Sequence, residues 1–109
     1  MSYSIELSEN FRREAKKLTK KYPSLKAELA ALFILLENNP TTGTPMVNDI
    51  YKIRLAMASK NKGKSGGARV MSFVKISGSK VLLFSIYSKG EKDDISDKEI
   101  DELLKVYSR

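Results

Sequence analysis

Between positions 50 and 90 the chain carries nine lysines and arginines, at Lys52, Arg54, Lys60, Lys62, Lys64, Arg69, Lys75, Lys80 and Lys89, and no acidic residue. Residues 1–49 hold seven basic and six acidic residues and residues 91–109 hold four and seven, so the formal charge of +7 comes from the central block. A field of that sign attracts phosphodiesters, which makes nucleic acid the expected partner. Lys52 and Arg54 are two apart and share one face of a strand. The stretch Lys60-Asn61-Lys62-Gly63-Lys64-Ser65-Gly66-Gly67 sets three lysines among glycines, which suits a loop that brings ammoniums and backbone amides up to phosphates. Its Gly-Lys-Ser triplet is not a nucleotide-binding loop, because that motif needs an earlier glycine at fixed spacing and a helix directly after it. Cysteine and histidine are both absent. That excludes a disulfide scaffold, a thiolate nucleophile, serine–histidine hydrolysis and the usual zinc sites, and no cofactor is expected. The carboxylates of Glu91, Asp93, Asp94 and Asp97 are read as favourable charge at a helix start rather than as a magnesium site.

The elements that must position these groups follow from periodicity. With 109 residues, 41% apolar and 30% charged, residues 1–109 are expected to form one α+β domain. The longest apolar run, from Leu29 to Leu36, is far short of the roughly 20 residues of a membrane span, and no targeting segment is evident. A cytoplasmic protein without membrane contact is the expectation. Tyr3 and Ile5 alternate as in a strand, and Ser8 is placed to cap a helix with Phe11, Ala15, Leu18 and Tyr22 on its apolar side. Pro23 can open a second helix, with Leu25, Leu29, Leu32, Phe33 and Leu36 buried, which Asn38, Asn39 and Pro40 end. From Ile50 to Met57 the period is two, and 68–76 and 80–88 read as two more strands joined by Ser77-Gly78-Ser79. Ser96 and Glu99 form a capping box, stapled by Ile95 and Ile100, ahead of a helix with Leu103, Leu104 and Tyr107 on the same face. The order is β-α-α-β-β-β-α: a strand and helix hairpin packed on a small antiparallel sheet, then a C-terminal helix. All helices are expected on one face, with the other free for function. Arg69 starting one strand and Tyr87 ending the next should meet at one sheet end, with Lys89 within reach.

The basic helix hairpin, Tyr51-Lys52-Ile53-Arg54-Leu55, the run Lys62-Gly63-Lys64-Ser65-Gly66-Gly67-Ala68-Arg69-Val70 and Ile86-Tyr87-Ser88-Lys89 together resemble the RelE/ParE superfamily of type II toxin–antitoxin toxins. The lysine–glycine loop leading into an arginine is most similar to the HigB-like RelE members. The resemblance implies a toxin that cuts mRNA in the ribosomal A site, inhibits translation and is neutralised by a cognate antitoxin. It implies a basic pair at Lys52 and Arg54, a phosphate-clamping arginine at Arg69 and a late-strand catalytic segment at Tyr87 and Lys89, beside which the loop lysines Lys60, Lys62 and Lys64 are read from their own composition as RNA-binding. The segment departs from members that carry a further arginine there, since Gly90 and the Asp93-Asp94 pair stand nearby.

Metal-free RNA cleavage needs a proton taken from a 2′-oxygen, charge stabilised on phosphorus and a 5′-oxygen helped to leave. Guanidiniums keep their protons, so Arg54 and Arg69 are electrostatic clamps. Lysine becomes a usable base where like charges crowd it, which makes Lys52 or Lys89 the candidate, with Tyr87 positioning substrate or sharing proton transfer. Two other readings stay open: a ParE-like topoisomerase poison without nuclease activity, and a passive RNA-binding module.

Overall fold

A computed structural model of the chain describes residues 2–60, 66–92 and 94–105. Strand β1 is Ser4–Leu7, helix α1 Glu9–Lys21 and helix α2 Leu25–Asn38; strands β2 to β5 are Thr44–Pro45, Ile50–Leu55, Ala68–Lys75 and Lys80–Ser88; helix α3 is Asp97–Lys105. The expected order is present with β2 added. That strand exists because Asn48 and Asp49 both take positive φ in the turn between Val47 and Ile50, the geometry whose twist closes a two-residue hairpin. Gly43 lets β2 come close: a Cβ there would lie 2.7 Å from the Lys52 carbonyl oxygen, and its φ is +110°.

The caps act as the sequence indicates, with two adjustments. Ser8 accepts from the Phe11 N–H at 3.0 Å, and Ser96 accepts from the Glu99 N–H at 3.1 Å. The Glu99 carboxylate, however, pairs with Lys92 and leaves the other half of the capping box unmade. Pro23 lies outside α2, which begins at Leu25 after Ser24.

The strands run β1-β5-β4-β3-β2. The antiparallel meander is as expected, and at its edge the N-terminal strand joins the sheet rather than packing on it: β1 runs parallel to β5 from Ser4 opposite Lys80 to Leu7 opposite Leu83. The helix pair between β1 and β2 carries the chain across the sheet, so the meander returns to β1 running in the same direction. Phe11, Leu18, Leu29, Leu32 and Leu36 of the two helices close on Ile53, Val70, Val81 and Leu83, forming the larger core. Such side chains contribute about 1.5–3 kcal/mol each on full burial.

The second face is not free, contrary to expectation. Ile95 and Ile100 join Ile50, Met71, Leu82 and Phe84 in a second core, with Leu103 and Leu104 packed beside it. The apolar stripe of α3 has to be buried somewhere, and the hairpin face is already filled. Tyr107 and Asp93 lie outside the described residues.

The β4–β5 register slips once. Met71 faces Ser85 and Ser72 faces Leu83, so Phe84 is the extra residue of a bulge. The first turns of α1 satisfy it. Asn10 Nδ2 donates to the Phe84 carbonyl at 3.0 Å, and Glu14 Oε1 accepts from Ser85 Oγ at 3.0 Å and the Ile86 N–H at 3.2 Å. Helix and bulge thus fix the last residues of β5.

Candidate nucleic-acid interface and active site

Alternation on β3 sends Ile53 into the hairpin core and sets Ile50, Lys52 and Arg54 on the other side. The register carries that pattern across the sheet: Arg54 faces Arg69, and Arg69 faces Tyr87. Directly opposite residues have Cβ atoms about 5 Å apart, so Arg54, Arg69 and Tyr87 form one row across three strands, with Lys52 one step along. Two arginines opposite one another repel, which is an arrangement suited to an anion. Arg54 is exposed and Lys52 half-buried, whereas Arg69 and Tyr87 are only 6% and 5% exposed. Arg69 Nη1 also donates to the Ala68 carbonyl at 3.2 Å.

What covers this end is the segment after β5. Gly90, at φ +106°, turns the chain back, and Ile95 is buried in the second core. Between them Asp94 reaches the site. Its Oδ1 lies 2.9 Å from Lys52 Nζ, accepts from the Tyr87 hydroxyl at 3.2 Å and from the Ile95 N–H at 2.9 Å. The hydrogen bond from Lys52, then that from the Ile95 amide, holds the Asp94 carboxyl below the usual carboxylate range. Burial, followed by the Asp94 charge, pushes the Tyr87 phenol up to about 12. Lys92 Nζ sits 5.6 Å from the Tyr87 ring centroid while paired with Glu99. Asp94 was expected to favour the helix start, and it instead links two site residues. Nothing in its spacing signals this, because the link depends on the reversal at Gly90 and the burial of Ile95.

The other expected residues separate. Lys60 is half-buried: its ammonium donates to Ser88 Oγ at 2.8 Å and to the Lys89 carbonyl, and it lies 5.8 Å from the Tyr22 ring centroid. It ties the turn at 58–60, beyond β3, to the end of β5, so its ammonium is already engaged within the fold. Lys89 is held at the same sheet end, its N–H donating to the Gly67 carbonyl at 2.9 Å. Lys62 and Lys64 lie outside the described residues. Lys75 and Lys80 face each other at the far end of β4 and β5, so the basic block of the sequence is split in space. Among the described residues no group of three acidic side chains is placed to hold a metal ion, and no helix is long and apolar enough to cross a membrane.

No protein-family profile matches the chain, and no curated protein sequence matches it. Solved structures do. A doubly substituted E. coli RelE toxin in the free state superposes with a TM-score of 0.65 at 19% identity, over 97% of this chain and 98% of that one. The RelBE2 toxin–antitoxin complex from Mycobacterium tuberculosis gives 0.62 at 16% identity, over 81% and 99%. The isolated E. coli RelE toxin gives 0.51 at 20% identity, over 96% and 99%. The fold of this chain is the RelE fold.

Proposed function

We propose that the protein is the toxin of a toxin–antitoxin pair, a metal-independent endoribonuclease that cuts mRNA in the ribosomal A site and so inhibits translation in the cytoplasm. The shared fold supports this reading, but one observation carries it: Arg54, Arg69 and Tyr87 form a single row across β3, β4 and β5, with Lys52 beside them on the same face. The 62–69 stretch favours the HigB-like branch of the superfamily. One of the neighbouring structures is a toxin–antitoxin complex, which favours a protein antitoxin as partner.

In the proposed reaction the 2′-oxygen attacks phosphorus, the bond to the 5′-oxygen breaks, and a 2′,3′-cyclic phosphate remains. Arg54 and Arg69 neutralise the charge that grows on the non-bridging oxygens. Tyr87, with its phenol at about 12, keeps its proton at neutral pH and is the donor for the departing 5′-oxygen. Lys52 or Lys89 receives the 2′-hydroxyl proton as the neutral amine, having first lost its own proton to solvent; for Lys52 this also requires that it leave the Asp94 carboxylate.

The test is to induce the chain in a bacterial host and map 5′ ends along a translated message, with Arg54→Ala as the comparison. Discrete cuts within the reading frame that vanish in the variant are expected. DNA damage without cuts would replace this reading with that of a topoisomerase poison.

A further inference from the structure

Resting on the phosphate-binding role given to this face, we infer that Asp94 is an internal competitor for the substrate: its carboxylate occupies the anion position between Lys52 and Tyr87 that a phosphodiester takes during the reaction. Three donors from three segments converge on one oxygen, Lys52 Nζ from β3, the Tyr87 hydroxyl from β5 and the Ile95 N–H. A carboxylate oxygen and a phosphate oxygen accept from such donors with similar lengths and directions, so one can stand in for the other. Next to this position the row continues into Arg69 and Arg54, where the remaining phosphate charge would lie.

The anchoring of the segment fits a side chain that comes and goes. Ile95 and Ile100 are 5% and 4% exposed and hold the segment to the sheet, whereas the Asp94 side chain is 60% exposed. It can therefore rotate toward solvent while the core beneath stays closed. RNA binds only to molecules in which it has done so, and the apparent dissociation constant rises by the inverse of that fraction. Asp94 thus lowers affinity for free RNA without taking part in the chemistry.

The experiment is an NMR titration of the full chain with a short 2′-O-methyl oligoribonucleotide, which binds but cannot be cut, following the Tyr87 ring resonances. Asp94→Asn keeps an acceptor for the Ile95 N–H while removing the charge. It should bind roughly threefold to tenfold more tightly than the unaltered protein, with the same Tyr87 shifts. Glu91→Gln removes a charge of the same segment that pairs with Lys21 instead, and should change affinity by less than about twofold, as expected for a screened surface charge. Equal affinities for Asp94→Asn and the unaltered chain overturn the inference, as does an equal gain in Glu91→Gln, which would reflect the general field. Absence of binding by both proteins would instead remove the phosphate-site reading, and this inference with it.

Discussion

Arg69 and Tyr87 stand directly opposite one another on β4 and β5, and both are almost wholly buried although one carries a full charge. Arg54 continues the same row and is exposed. The two arginines should therefore respond differently to truncation. Arg54→Ala should lose about 3 kcal/mol of transition-state stabilisation, as for a deleted oxyanion donor, with unfolding free energy changed by no more than about 0.5 kcal/mol. Arg69→Ala should lose activity to a similar degree and also destabilise the fold, because a buried guanidinium and its hydrogen bond to the Ala68 carbonyl are removed. Paired urea melts and cleavage rates separate the two; a stable, fully active Arg69→Ala protein would contradict both assignments.

Tyr87 should be visible in alkaline titration. Its phenol is raised to about 12 in the folded protein by burial and the Asp94 charge, against about 10 when unfolded. The folded state holds this proton more tightly, so the contribution to stability is complete below about pH 10 and is lost as pH rises toward about 12. Tyr87→Phe should flatten that part of the stability curve and remove the last-titrating step from the phenolate absorbance. A stability curve of unchanged shape in Tyr87→Phe would mean that Tyr87 titrates in the folded protein as an ordinary phenol.

How far the sequence could be read follows from which interactions are local. Ser8 as a cap, the Leu25 to Leu36 stripe and the period of two around Lys52 and Arg54 each reflect neighbours within a turn or a strand, and each is present. The meeting of Arg69 with Tyr87 was legible because antiparallel pairing fixes which strand ends meet, and the shared face of Lys52 and Arg54 from their spacing, but the register that sets Arg54 opposite Arg69 was not. The Phe84 bulge and its Glu14 partner were not, since they depend on how α1 docks across 71 residues. Nor was the closure of the second face, which follows from competition for burial between α3 and a hairpin face already occupied. Lys60 reads from sequence as an RNA-binding cation of the loop, and its contacts with Ser88 and the Tyr22 ring depend on a three-dimensional approach that spacing does not signal.

Glu14 should matter more than a charge on a basic helix suggests. Its Oε1 accepts from Asn10, Ser85 and the Ile86 N–H at the bulge. Glu14→Ala leaves polar groups at the bulge without partners and should cost about 1–3 kcal/mol of stability. Because the bulge orients the end of β5, amide exchange should quicken at Ile86 and Tyr87 ahead of global unfolding. Protection unchanged at both residues would show that the strand ladder alone holds this segment.

The isolated protein should be a poor ribonuclease that becomes efficient only on translating ribosomes. Its proposed proton donor is a phenol at about 12, the Asp94 carboxylate touching it is held below its usual range, and there is no histidine. None of these groups is poised near neutral pH, where proton transfer is most effective. Most of the acceleration would then have to come from an RNA held with its 2′-oxygen in line with the scissile phosphate, an effect on the order of 7–11 kcal/mol when geometry is complete. Free RNA is flexible and also has to displace the Asp94 carboxylate. A message fixed in a decoding site arrives already bent and ordered. Cleavage of one transcript, free and in programmed ribosomes, should differ by several orders of magnitude in rate, and the free rate should rise steadily with pH between about 6 and 8 without a plateau, because the lysine base acts only in its neutral amine form. Equal rates on both substrates would mean that the sheet face by itself organises the RNA, and that the protein is a ribosome-independent ribonuclease.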